Sequence, residues 1–194
     1  PGHGVTAIMT NPPFGSKIPI EEPAILESFD LGHTWSWSEE DIEWKMEAKL
    51  SSQPPEILFI ERCIRLLEPG VGVAALVIPN GILGNPGLGY VRQWILRHAQ
   101  ILGSVDMHPD AFQPSVGVQT SILVLRRWNS DEEAYCKDGS FRDYKMFMAI
   151  CDHVGHDKRG QTTYVRDSDG YPIVREQTTA VTGNVGSEKE SGHT

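Results

Sequence analysis

Residues 71–79, VGVAALVIP, form an apolar run that starts just after Gly70 and ends in a proline. Nine residues are too few to span a bilayer, which takes about 20. They suit a strand, and the lack of polar alternation reads as burial on both faces, as in parallel sheets. Such a sheet needs helices over it, so this run points to an α/β architecture.

The flanking sequence supports that layout. Residues 5–9 are a short apolar run of strand formers, halted where Pro12 and Pro13 remove ladder donors. Pro54-Pro55 opens a helix, and Ile57, Leu58, Ile60, Cys63, Ile64, Leu66 and Leu67 give it a wide apolar face. Gly70 suits its C-terminal cap. Residues 80–89 read as a loop, followed by a helix through Tyr90, Trp94, Ile95 and Ala99. Residues 101–107 and 118–125 read as strands close enough in sequence to pair antiparallel, and residues 145–151 as one more. Residues 19–38 lack periodicity and read as irregular. Ser38 with Asp41 looks like a capping box. Ile42, Met46 and Leu50, at i, i+4 and i+8, then predict a helix with a narrow apolar stripe. No internal repeat is evident.

From residue 161 polar residues dominate, and residues 177–194 contain almost no large apolar side chains. This predicts one domain over residues 1–160 and a polar, partly disordered extension over 161–194.

Charge and cysteine usage narrow the function classes. The net charge is −9, and residues 21–61 carry all of it, with eleven acids against two lysines. Overall there is no basic footprint of the kind nucleic-acid binders carry, so any grip on DNA has to come largely from elsewhere. Three scattered cysteines exclude a disulfide framework and a Cys-x-x-Cys zinc site, and they suit a reducing cytoplasm. The opening Pro1-Gly2-His3, without methionine, reads as the start of a fragment.

Chemistry in open α/β sheets gathers beyond the carboxyl ends of the strands. There the chain places Asn11-Pro12-Pro13-Phe14. Two prolines fix φ near −65° and hold the preceding residues extended. The corner is therefore stiff. It offers the Asn11 side-chain oxygen and the Pro12 carbonyl as acceptors and Phe14 as a flat apolar face, while Gly15 lets the chain turn away. Paired acceptors beside a ring match a planar group with an amino donor, of which a nucleobase is one.

This tetrapeptide after an apolar strand resembles the catalytic motif of N6-adenine DNA methyltransferases, above all the modification (M) subunits of type I restriction systems and related phage-defence methylases. Residues 73–83 (VAALVIPNGIL), 119–125 (QTSILVL) and 155–160 (GHDKRG) resemble later segments of the same family. The likeness covers roughly residues 5–160. It implies a partial Rossmann-like S-adenosylmethionine-dependent methyltransferase sheet: its C-terminal half, with mixed parallel and antiparallel strands and flanking helices.

The implied reaction is methyl transfer to the amino group of an adenine flipped from double-stranded DNA. Asn11, Pro12, Pro13 and Phe14 would be catalytic. Asn11 and Pro12 would also border the cofactor, and Phe14 would stack on the base. Implied partners are specificity and restriction subunits, with no membrane and a cytoplasmic location. One departure stands out: the family's glycine-rich cofactor loop lies upstream of this motif, and only ten residues precede Asn11. The expectation is a chain lacking the main cofactor site, inactive alone, with an open strand edge that invites self-association. Relatives with an Asn-Pro-Pro-aromatic motif methylate guanine amines of RNA or glutamine amides of proteins, and a non-catalytic scaffold of the same fold is a further alternative.

Other features carry two readings each. Lys158-Arg159 and Arg126-Arg127, the close basic pairs, suit phosphate contacts or surface ion pairs. Gly84-Asn85-Pro86-Gly87-Leu88-Gly89 resembles a phosphate cradle, but its spacing is wrong and Pro86 lacks a donor, which favours a flexible loop. Asp152, His153, His156 and Asp157 lack a second ligand cluster, so no metal is expected. Asp106 and His108 suit acid–base chemistry or a polar loop. Trp35, Trp37 and Trp44 suit a packing cluster or a base-stacking platform.

Overall fold

Alternating apolar runs and proline-initiated helices give the order β1 (Ala7–Thr10), α1 (Pro23–Leu26), β2 (His33–Ser38), β3 (Glu43–Leu50), α2 (Pro55–Leu66), β4 (Val73–Pro79), α3 (Asn80–Gly84), α4 (Gly89–His98), β5 (Ala99–Asp106), β6 (Thr120–Arg127), α5 (Ser130–Lys137) and β7 (Phe147–Ile150). The structure is a computed structural model that describes residues 4–14, 18–115, 117–137 and 143–173. Among these, five strands form one sheet in the order β1-β4-β6-β5-β7, and β2 and β3 form a separate hairpin. Strand β1 runs parallel to β4, with Ala7 opposite Val73 and Thr10 opposite Leu76. Strand β6 runs antiparallel to both β4 and β5, and β7 is parallel to β5. Strands β1, β4, β5 and β7 thus share a direction, and their carboxyl ends meet at one edge.

One face of the sheet is dry. Ala74, Leu76 and Ile78 of β4 and Leu123 and Leu125 of β6 are buried against Ile57, Ile60 and Ile64 of α2 and Val91, Trp94 and Ile95 of α4. Each large side chain buried there is worth about 1.5–3 kcal/mol. The opposite face differs from the sequence expectation. Val73, Ala75 and Val77 are only half-buried, because α2 and α4 pack on the other side. The apolar run is therefore buried on one face, not two.

Residues 33–50 give the largest correction. In place of a helix over residues 42–50 stands the β2–β3 hairpin, in which Trp37 opposes Trp44. The Ser38–Asp41 contact exists, with Ser38 Oγ donating to Asp41 Oδ2 at 2.7 Å, but it closes the hairpin turn. Ile42 and Met46, the supposed apolar stripe, are 76% and 48% exposed. Aromatic packing decides the outcome. Trp35 stacks on Tyr90 at 5.9 Å, and Trp44 meets both Trp37 at 5.8 Å and Tyr90 at 6.0 Å. Cross-strand aromatic pairs of this type outweigh a weak helical stripe. The Gln93 amide then bridges α4 to the hairpin, accepting from Trp44 N at 2.8 Å and donating to Trp44 O at 2.7 Å. A Cβ at Gly89 would lie 2.6 Å from Trp44 Nε1, so this approach requires glycine.

Other departures are smaller. Residues 19–38 hold α1, a 3-10 turn at Asp30–Gly32 and β2. Helix α2 stops at Leu66, and Gly70 (φ +79°) sits in the later turn into β4, so it is not the helix cap. Helix α5 was not expected. Its N-terminus carries the capping box that Ser38–Asp41 lacks: Asn129 Oδ1 accepts from Glu132 N at 2.9 Å, and Asn129 N donates back to Glu132 Oε2 at 2.9 Å.

A short repeat was also missed. Two hairpins follow β7 with a ten-residue period, bridged at His156–Thr162 and Arg166–Pro172. In the first, Asp157 Oδ1 accepts from Arg159 N and Gln161 N, and in the second Asp167 Oδ1 accepts from Asp169 N and Tyr171 N. Gly160 (φ +79°) and Gly170 (φ +86°) close the two turns. Residues 161–173 of the expected extension thus pair in these hairpins, and residues 174–194 lie outside the described residues.

Candidate active site

The corner sits where β1 ends, on the edge shared by the carboxyl ends of the parallel strands. Pro12 is buried, Asn11 and Pro13 are exposed, and Phe14 is half-buried. Gly15 lies outside the described residues. Asn11 is thus open to a ligand while the buried proline anchors its backbone.

Phe14 does not stand alone. Its ring meets Phe112 edge to face, 6.3 Å between centroids and 78° between planes. Phe112 belongs to the β5–β6 connection, which is shaped by bonds from Ala111 N to His108 O and from Gln113 N to Asp110 O, and by a cis Gln113–Pro114 peptide. Sequence reasoning passed over Phe112, because an isolated aromatic in a Pro/Gly-rich connection has no periodicity. Its place in the loop after a strand's carboxyl end was the available signal.

The floor of this edge is polar and joined by side-chain hydrogen bonds. Asn80 Nδ2 donates to Asp106 Oδ1 at 2.7 Å, Ser121 Oγ donates to Asn80 Oδ1 at 2.7 Å, and Gln119 Nε2 reaches both Asp106 oxygens at 3.3 Å. This ties the start of α3 to the ends of β5 and β6. Asp106 is therefore engaged by amides. His108 accepts from Asp110 N through Nδ1 at 3.1 Å, so it turns into its own loop. The glycine-rich stretch after α3 is not a phosphate cradle here: Asn85 Oδ1 accepts from Gly87 N, and Arg92 braces the loop through the Ile82 and Asn85 carbonyls.

The two basic pairs separate. Arg126 bonds Glu132 and the Gly70 carbonyl, and Arg127 bonds the Arg65 and Leu67 carbonyls, at the opposite end of the sheet. Both are structural. Lys158 and Arg159 are exposed at the tip of the first hairpin. Among the described residues neither side chain enters an ion pair. That hairpin abuts the Phe112 loop, since a Cβ at Gly160 would lie 3.2 Å from Pro114 Cδ. The tryptophans form a packing cluster with Tyr90. Among the described residues no three His, Cys, Asp or Glu side chains are grouped to hold a metal ion, and no helix is long and apolar enough to cross a membrane.

Buried ionisable groups gather elsewhere, between α2, α4 and the 3-10 turn at Asp30–Gly32. Burial pushes the Glu61 carboxyl up, against donation from the Leu31 and Asp30 amides at 2.8 Å each and the Arg65 charge. Burial also opposes ionisation of Asp30, but the Trp94 indole and Arg65 hold its carboxyl below the ordinary value. Burial draws His98, stacked on Trp94 at 4.0 Å, downward. This network braces the helices and lies away from the corner.

A sequence model of the family described as N-6 DNA Methylase matches residues 2–154. The chain belongs to the N-6 DNA methylase family. Its mixed sheet with flanking helices is the Rossmann-like sheet of S-adenosylmethionine-dependent methyltransferases. A solved structure from Listeria monocytogenes described as a class I S-adenosylmethionine-dependent methyltransferase shares this fold. It has a TM-score of 0.53 and 17% identity over 79% of this chain and 38% of that one. The methyltransferase subunit of a type I restriction-modification system from Streptococcus thermophilus matches with a TM-score of 0.40 and 18% identity, over 64% of this chain and 24% of that one. The EcoKI M protein, also of a type I restriction enzyme, matches with a TM-score of 0.44 and 19% identity, over 66% and 22%. The N-6 DNA methylase chain thus spans well under half the length of these structures. No curated protein matches it.

Proposed function

We propose that residues up to 160 are the C-terminal portion of the catalytic domain of a DNA adenine-N6 methyltransferase serving a restriction-modification or phage-defence system. One observation carries the reading: an exposed Asn11 on a proline-braced corner, beside the Phe14–Phe112 ring pair. On this reading an adenine leaves the duplex and enters the corner. Its amine donates to Asn11 Oδ1 and the Pro12 carbonyl. Phe14 and Phe112 hold the ring. The two acceptors aim the nitrogen lone pair and stabilise the positive charge that grows on nitrogen as the new bond forms. S-adenosylmethionine would supply the electrophilic methyl group, with Asn11 and Pro12 beside it. Partners on this reading are duplex DNA and specificity and restriction subunits, with Lys158 and Arg159 touching phosphate.

The test is methyl transfer by the full-length protein to duplex DNA, ribosomal RNA and protein glutamine. Label appears in DNA adenine, and Asn11→Ala lowers kcat by roughly 10²–10³, the size of loss found on removing one hydrogen-bond partner of a reacting centre. Label in RNA or protein, or an unchanged rate in a folded Asn11→Ala protein, overturns the reading.

The chain alone, on the same proposal, is inactive and binds cofactor weakly. Its β1 edge, where Met9 is 87% exposed, pairs with a second copy. Calorimetry giving tight stoichiometric S-adenosylmethionine binding, or sedimentation giving a monomer at high concentration, refutes the respective part.

A further inference from the structure

The β5–β6 connection, residues 107–119, carries Phe112 near its middle and has to hold that ring against Phe14. The strand ladders stop short of it. Pairing of β4 with β6 ends at Pro79–Thr120, and pairing of β5 with β6 ends at Asp106–Ser121. The backbone closes the two ends of the connection with a bond from Met107 N to Thr120 O at 3.0 Å. Beyond that bond every residue left unfixed keeps its conformational freedom, and so does a ring at the middle of the connection.

Side chains extend the closure past the ladder. Gln119, the last residue of the connection, reaches both Asp106 oxygens through Nε2 at 3.3 Å. Asn80, the first residue of α3, holds both ends at once. Its Nδ2 donates to Asp106 Oδ1 at 2.7 Å, and its backbone N donates to Gln119 O at 3.0 Å. Its Oδ1 accepts from Ser121 Oγ at 2.7 Å, which fixes the amide orientation. Asp106 is thus the acceptor on which two side-chain amides converge. Bonds to a carboxylate are stronger than bonds between neutral groups.

These bonds bear on placement more than on folding. The ladders already join β4, β5 and β6, and the core lies on the face that meets α2 and α4. What the ladders leave open is the direction in which the connection leaves the sheet. Around Phe112 the bonds from Ala111 N to His108 O and from Gln113 N to Asp110 O make a compact turn. A shift at the root is therefore passed on to the ring. We infer that Asp106 is a positioning residue of the proposed reaction. It fixes the root of the β5–β6 connection and so holds Phe112 where, with Phe14, it takes up the base. The inference rests on the proposed function and adds to it a residue that acts through the ring.

The experiment is a double-mutant cycle in the full-length protein, read as kcat/KM for methyl transfer to a duplex bearing the sequence it methylates. Asp106→Leu lowers kcat/KM about tenfold, part of what loss of the stacking ring itself costs. Asp106→Asn, whose amide oxygen still accepts from Asn80, restores most of it. In the Phe112→Ala protein, Asp106→Leu adds less than about twofold, because the ring it places is gone. Should Asp106→Leu fail to fold, Gln119→Leu, at an exposed position, carries the same cycle with a loss of about fivefold. A folded Asp106→Leu protein within about twofold of the parent overturns the inference. So does a loss that is undiminished in the Phe112→Ala background. Failure of the underlying reading appears separately, as methylation that survives Asn11→Ala.

Discussion

Replacing Phe112 by alanine removes the ring that meets Phe14 edge to face at 6.3 Å. Both rings are half-buried. The stability loss is therefore below the ~3–5 kcal/mol of a fully buried Phe→Ala change. About half that burial gives ~2 kcal/mol, which includes ~0.5–1.5 kcal/mol for the ring pair. If a base stacks there, a second and independent loss appears. Base–aromatic stacking is worth ~1–3 kcal/mol, or roughly 5- to 150-fold in kcat/KM at about 1.36 kcal/mol per decade. The assay pairs urea unfolding with methyl transfer to duplex DNA by the full-length protein. Phe112→Tyr keeps the ring and restores most of both. An alanine variant that loses the expected stability yet keeps kcat/KM within about twofold refutes a base-holding role, because packing alone then accounts for the ring.

Three other outcomes test the fold. Leu123→Ala, at a fully buried β6 position facing α2 and α4, lowers stability by about 2–5 kcal/mol in denaturant titration. Gln93→Ala removes both bonds to Trp44 and costs about 1–3 kcal/mol, with faster amide exchange at Trp44 than at Leu123. His98 gives a pH signature. Burial keeps its folded pKa below the unfolded value of about 6.5, so the unfolded chain binds the extra proton. Its contribution is complete above that value and is lost as pH falls through it toward the folded pKa. The unfolding midpoint drops between about pH 7.5 and pH 6, and the drop shrinks in His98→Gln; an equal drop in both proteins contradicts the buried neutral ring.

Much of the sheet was legible because its signals are local. Pro54-Pro55 starts α2, the run at residues 71–79 becomes β4 over Val73–Pro79, and the prolines after β1 end it, each within a few residues of the cause. The same holds for the stiff corner, which needs only its own φ restrictions. Residues 33–50 failed the same treatment. Their helical spacing at Ile42, Met46 and Leu50 is real, but Tyr90 and Gln93, some 40 residues on, supply the stacking and the amide clamp that make them a hairpin. The capping box was sought at Ser38–Asp41 and overlooked at Asn129–Glu132, where the acid at the third position has its reciprocal bond.

What the amino-acid sequence determined by itself is therefore the set of strands in the main sheet, the helices α2 and α4 that face it and the proline pair that follows β1. Proline geometry and continuous apolar runs act on neighbouring residues and need no partner. Only the tertiary structure decided which face of β4 stays dry, that Phe112 meets Phe14, and that among the described residues Lys158 and Arg159 enter no ion pair while Arg126 and Arg127 are engaged. Those outcomes depend on groups far apart in the chain, and closing such long loops is favourable only once the whole sheet has assembled.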